Sequence, residues 1–364
     1  MAAPKIKELI DKFDSDQDIN PHPLLHMRNH TILATLASIF CSVFIITIIT
    51  NVAIDPYIKA ACFEENLLNF YEKNNDNNKI FIIGDSLPQW DIDPIILENY
   101  LQKNNQPFKV YNLGFQGDHP SNRIIELSYI VKSKPNIVVF CPQYYWFTEY
   151  YSPDYTYIEN RFVLSANRIV LDPYTRSLFD KKELSLVQMD FLHLIAYERM
   201  LWVPSLRLML SKTQLSGVPF IKPFLTEPPP LFGLSFIPNF KVGFIPPKIA
   251  ELNQTPYSIP RIIEESSIQK KAFMHMINVL KSQGITVIII TMPYTSELLQ
   301  SFSNESRTNY SNFINQTQCH HYDLLSYIPD VEFYNQNHLN VYGRQNASKK
   351  VEEILLSEVK NVTK

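Results

Sequence analysis

The chain has 364 residues and 45% hydrophobic content, enough to fill the core of one large domain or two small ones. Its formal net charge of -3 supplies no broad basic surface, which argues against sequence-independent binding of nucleic acid. The four cysteines, Cys41, Cys62, Cys141 and Cys319, lack the paired spacing of a zinc site, and one of them falls in an apolar run. Neither a metal cluster nor a disulfide framework is therefore expected, and no cofactor is implied.

Residues 1–30 form a polar arm, and Thr31–Ala53 (TILATLASIFCSVFIITIITNVA) follows without a single charge. That run is long enough to cross ~30 Å of hydrocarbon and reads as an uncleaved transmembrane helix. Lysine and arginine close to its two ends are balanced, with Lys12 and Arg28 before it and Lys59 and Lys73 after it. Adding Lys5 and Lys7 tips the count toward a cytoplasmic amino terminus, which puts the segment 54–364 outside the membrane. After Asn51–Tyr57 (NVAIDPY), the polar stretch NNDNN at 74–78 reads as the edge of the folded domain. Lys79–Gly84, Val110–Leu113, Asn136–Cys141 and Ile285–Thr291 are short, continuous β-branched runs, the pattern of strands buried on both faces. Pro94–Lys103, Arg123–Ser133 and Arg261–Ser282 between them have helical period, as does the final segment Gln345–Lys360. Such alternation predicts an α/β fold with a parallel sheet and helices on both sides, a three-layer α/β/α arrangement. Residues at about 150–260 break the pattern with aromatic and proline-rich segments and read as one large insertion, either a cap on its own domain or an apolar surface for a membrane or partner.

The chemistry-bearing residues cluster in three segments. Phe81–Ser86 (FIIGDS) runs a hydrophobic strand straight into Gly-Asp-Ser, placing Ser86 where sheet loops carry function. A serine hydroxyl needs a base to become a nucleophile, and His338 in Phe333–Gly343 (FYNQNHLNVYG) offers one from a distant loop. Asn112–Pro120 (NLGFQGDHP) offers Gly114 or Gly117, whose backbone N–H can face a developing oxyanion. Four of the eight glycines, Gly84, Gly114, Gly117 and Gly343, fall in these segments, where backbone must bend or approach a ligand closely.

In this order the segments resemble the blocks of the SGNH (GDSL-like) hydrolase superfamily: GDS as the first, NLGxxG as the second, and a last-block histidine within NHLNxxG. The run from NVAIDPY through the sheet, a long insertion, ITVIIITMPY and FYNQNHLNVYG is similar to membrane-anchored SGNH proteins that act beside membrane-bound O-acyltransferases. These include the alginate O-acetylation proteins and the D-alanine transfer protein of teichoic acid modification. The likeness covers residues 51–145 and 261–360.

The resemblance implies a flavodoxin-like SGNH fold in which Ser86 is the nucleophile, Asp85 its structural neighbour and His338 the general base. The N–H groups of Ser86 and Gly117 would form the oxyanion hole, with Asp118, His119 and Asn337 in support. Two positions depart from the superfamily. Asn335 stands three residues before the histidine, where an aspartate is usual; it can hold the imidazole by a hydrogen bond but not by charge, so Glu332 or Asp323 is a candidate to stand in. Gln143 replaces the third block's asparagine as a possible side-chain donor. Tyr144, Tyr145, Trp146, Tyr150 and Tyr151 could stack on sugar rings or pack a core, and His320 and His321 read as solvated or core residues.

The function so implied is O-acyl transfer, of acetyl above all, to hydroxyls of an envelope or extracellular glycan through a Ser86-linked ester. A membrane-bound O-acyltransferase, the bilayer and the glycan acceptor would be its partners, at the cell membrane in a single-pass arrangement. An esterase with water as acceptor, and a non-catalytic subunit of a membrane assembly, are the two alternatives.

Overall fold

The computed structural model describes residues 63–147, 169–179 and 268–362, with isolated positions at 34, 35, 37, 38, 41 and 184. The chain divides into two units, Met1–Ile58 and Lys59–Lys364. Among the described residues no helix is long and apolar enough to cross a membrane. The arm 1–30, most of the candidate transmembrane stretch 31–53 and nearly all of the insertion at 150–260 lie outside the described residues.

In the second unit, helix α1 (Phe63–Lys73) leads into strand β1 (Lys79–Gly84), helix α2 (Ser86–Asp91), helix α3 (Pro94–Lys103) and strand β2 (Lys109–Asn112). Helix α4 (Pro120–Arg123), a 3-10 turn at Ile124–Glu126 and helix α5 (Leu127–Ser133) then reach strand β3 (Ile137–Cys141), which ends in a 3-10 turn at Tyr144–Phe147. Helix α6 (Pro173–Leu178), helix α7 (Ile268–Ser282) and strand β4 (Thr286–Thr291) follow. Helices α8 (Ser296–Ser301) and α9 (Asn304–Gln316), strand β5 (His320–Asp323), a 3-10 turn at Asp330–Glu332 and the long helix α10 (Val341–Val362) complete the unit.

All described strand pairs are parallel, in the order β2-β1-β3-β4-β5. Every residue of β1 and of β3 is buried, as the continuous apolar runs predict for central strands covered on both faces. One helix group joins α10 to α2 and α3, and a second joins α7 to α4, α6 and the 3-10 turns and, through these, α5 to α1. Helices on both faces make the three layers that the sequence alternation predicts. Each fully buried Ile, Val or Phe of these strands is worth ~1.5–3 kcal/mol of apolar transfer.

The start of the unit and its last strand differ from the sequence reading. The folded unit does not start at the polar stretch 74–78, because α1 packs on α5. Phe70 and Tyr71 of α1 lie 5.7 and 5.8 Å from the Phe81 ring, and Phe70 lies 4.8 Å from that of Tyr111. Strand β5 carries the sequence HHYD, exposed or half-buried throughout, so it lacks the apolar signal by which the other strands are recognised. As a sheet edge it is covered less than its neighbours and needs less hydrophobic surface. Cys141 is a buried free thiol at the end of β3, Cys319 is a partly buried one, and Cys62 lies outside the described residues.

Candidate active site

The order 2-1-3-4-5 reverses between β1 and β3, and a crevice opens at the carboxyl ends of the strands at such a switch point. Ser86 stands there as the first residue of α2, one residue beyond Asp85 at the end of β1. Asp85 caps the helix: its Oδ1 accepts the Leu87 N–H at 2.9 Å, and its Oδ2 accepts the Trp146 indole N–H at 3.2 Å. The Gln143 amide also bonds Asp85, and burial pushes this carboxyl well above the usual carboxylate range.

The second segment is tied to the first by backbone. Leu113 N–H donates to Ile82 O at 2.8 Å and Phe115 N–H to Gly84 O at 3.1 Å, so the loop after β2 runs beside the end of β1. The Asn112 side chain reaches under α2, donating to Pro88 O at 2.6 Å and Ile92 O at 3.0 Å while accepting Gly114 N–H at 3.1 Å. Gln89 of α2 accepts the Gln116 N–H at 3.0 Å. A side chain at Gly114 would put its Cβ 2.8 Å from Gln89 N and 2.9 Å from Asp85 O, so only glycine allows this approach. Gly117 has φ +74° in a turn closed by Asp118 N–H to Phe115 O at 2.9 Å, a conformation that favours glycine.

The third segment brings the base. His338 Nε2 lies 2.9 Å from Ser86 Oγ, across 252 positions of sequence. His338 Nδ1 lies 3.1 Å from Asn335 Oδ1, which also accepts the backbone N–H groups of Asn337 at 3.1 Å and His338 at 2.8 Å. Two backbone donors identify that Asn335 atom as the carbonyl oxygen, so Nδ1 must carry the ring proton. Nε2 is then bare and accepts from the serine hydroxyl. Burial pushes the imidazole down to about 4, which keeps it neutral and able to take a proton at ordinary pH. Trp90, with its ring centroid 4.9 Å from that of His338, and Tyr334, stacked on Trp90 at 6.1 Å, flank the base.

Ser86, His338 and Asn335 are thus brought together, and Asp85 sits beneath the nucleophile. Several other expectations are corrected. Glu332 and Asp323 do not stand in for the missing aspartate: Glu332 accepts from the Asn346 amide at 2.9 and 2.8 Å, and Asp323 accepts the Leu325 N–H at 2.9 Å. Gln143 is buried with its amide committed to Asp85, which argues against its presentation as an oxyanion donor. Tyr144 and Trp146 are buried, so they pack the core and are not platforms for sugars; Tyr150 and Tyr151 lie outside the described residues. His119 is buried with its ring nitrogens 3.0 Å from Ser121 Oγ and 3.0 Å from Asn122 Nδ2, and it anchors the start of α4 instead of facing substrate. Asp118 is fully buried against the equally buried Arg123, whose Nη1 also meets Glu126 at 2.8 Å; it stiffens the second segment from below. Asn337 is buried and contributes its backbone N–H to Asn335. Of the histidines in β5, His320 bonds Glu358 at 2.8 Å and His321 bonds Thr291 at 2.8 Å.

Asp91, Trp90, Gln89 and Asn112 belong to the site region and were not singled out from sequence. Asn112 opens the NLGFQG segment and was legible there as a residue type; the other three lie in the helix after Ser86, where nothing in the residue pattern separates a positioning side chain from a helical one.

No protein-family model matches the chain, and no curated protein sequence matches it. Solved structures do. An acetyl xylan esterase shares 12% identity, with 76% of this chain and 99% of that one covered, at a TM-score of 0.36. A catalytic mutant of an acetylxylan esterase from Geobacillus stearothermophilus shares 9% identity over 77% of this chain and 95% of that one, at 0.35. A protein from Desulfitobacterium hafniense described as lipolytic and of the G-D-S-L family shares 11% over 76% and 99%, at 0.34. At such identities and scores the chemistry is read from Ser86, His338 and Asn335 themselves.

Proposed function

We propose that the chain is a serine esterase that cleaves acyl esters, with Ser86 as nucleophile, His338 as general base and Asn335 as the group that holds the imidazole. The observation that carries this reading is the 2.9 Å contact between Ser86 Oγ and a His338 Nε2 whose lone pair is fixed toward it by Asn335. His338 takes the Ser86 proton as Oγ attacks the ester carbonyl, then returns it to the departing alcohol, leaving an acyl group on Ser86. A second hydroxyl compound, deprotonated by His338, then attacks the acyl-enzyme and frees Ser86. The Ser86 and Gly117 N–H groups are the proposed donors to the carbonyl oxygen as it gains charge.

When the second hydroxyl belongs to water the reaction is hydrolysis; when it belongs to a sugar the same two steps give acyl transfer. The transfer reading rests on the sequence resemblance and on the apolar stretch 31–53, which would hold the domain near a membrane-bound acyl donor. Hydrolysis needs neither a partner nor a donor beyond the ester, which favours water as the acceptor. Incubating the full-length protein with a chromogenic acetyl ester, with and without an oligosaccharide acceptor, tests it. Release of chromophore and free acetate, lost in S86A, is expected; acetate recovered on the sugar in place of free acetate would favour transfer, and no release by folded protein would overturn both.

A further inference from the structure

Ser86 and Asp91 are the first and last residues of the same six-residue helix, α2. Asp91 is fully buried, and its Oδ1 accepts the backbone N–H of Leu339, the residue after His338, at 2.9 Å. A closed ring results: Ser86 leads along α2 to Asp91, Asp91 to Leu339, Leu339 to His338, and His338 Nε2 back to Ser86 Oγ at 2.9 Å. We propose that Asp91 is a positioning residue whose grip on the Leu339 N–H sets the distance between the His338 imidazole and the Ser86 hydroxyl. This rests on the esterase reading given above.

Three observations support the role. Gln336 O accepts from Thr295 N–H and Thr295 Oγ1, at 3.1 and 3.0 Å, and so ties the loop to the segment after β4, two strands from β1, while toward α2 the Trp90 ring packs on His338 and Tyr334. Asp91 ties the loop to the nucleophile's own helix. Its Oδ2 is buried without a hydrogen-bond partner among the described residues, a costly placement for a group serving stability alone. Burial pushes the carboxyl well above the usual carboxylate range against the opposing Leu339 N–H bond, with the nearby Asp85 adding to the effect and Arg344 also opposing it. Asparagine is then close to an isostere, keeping the carbonyl acceptor. Farther along the same segment, Asp93 meets Arg344 at 3.3 Å and its N–H donates to Ser348 Oγ at 2.8 Å, which anchors α10 without touching the loop.

The test uses the full-length protein and its D91N and D91A variants, with D91L replacing D91A if the latter does not fold. Steady-state kinetics on p-nitrophenyl acetate should show kcat falling about 10- to 100-fold in D91A with KM little changed, the signature of a displaced base. D91N should stay within about threefold of wild type, because its side-chain carbonyl still accepts the Leu339 N–H. Wild-type kcat in folded D91A or D91L, or a loss in D91N equal to that in D91A, would overturn the proposal. Hydrogen exchange of the peptide holding Leu339 separates this inference from the esterase reading. If the wild-type protein proves inert toward esters, protection in wild type and D91N with loss in D91A still supports the link, and unchanged exchange in D91A overturns it.

Discussion

Ser86 has the chemistry of any alcohol until a bare nitrogen faces it, and here Asn335 decides which nitrogen is bare. Its carbonyl oxygen takes two backbone N–H groups and the ring N–H of His338 together, so the tautomer is held by geometry where an aspartate would add charge. Burial of the imidazole has a consequence in pH. With the imidazole pushed down to about 4 from an ordinary 6.5, the base is neutral across the physiological range. Ester hydrolysis should run flat from about pH 5 upward and fall only as pH drops through about 4, since protonation removes the base. N335D places a carboxylate against Nδ1, favours the imidazolium and should move that acid limb to higher pH. An inflection near 6.5 in the wild-type kcat profile would contradict a buried, neutral base. The same displacement means that the unfolded chain takes up the proton first, so stability contributed by this histidine is full above 6.5 and lost as pH falls toward 4.

At the scale of elements, the site depends on how closely the loop after β2 can lie against α2. Gly114 sits where a Cβ would meet Gln89 N at 2.8 Å and Asp85 O at 2.9 Å, both backbone atoms of the turn that carries Ser86. G114A should push α2 away from the loop and lower kcat about tenfold, with a lower Tm; unchanged kcat by steady-state assay would show that the approach does not matter. These elements were unequally legible in the sequence. Gly-Asp-Ser after an apolar strand, the NLGFQG segment and His338 before a terminal helix carry strong local patterns, and α3 is recovered to the residue because Asp93 and Pro94 mark its start. Asp91 carries no such mark, since its function depends on Leu339, 248 positions away. His119 and Gln143 fail the other way: they lie in the right segments, but burial turns them inward to Ser121, Asn122 and Asp85. Burial of a polar side chain depends on which partners the fold supplies, and local pattern does not contain that.

Over the whole molecule, a parallel sheet with order β2-β1-β3-β4-β5 collects segments from both ends of the domain at one rim. The class of fold was readable because continuous apolar runs alternated with helical ones, while the edge strand β5 escaped because it carries no continuous apolar stretch. At that rim a hydroxyl and an imidazole from distant parts of the chain meet, Ser86 Oγ 2.9 Å from His338 Nε2. The most direct measurement is reaction of the full-length protein with a fluorophosphonate probe, followed by mass spectrometry of the modified peptide. One adduct on Ser86, formed by wild type and abolished in H338A, is predicted. A correctly folded wild-type protein that leaves Ser86 unmodified would contradict it.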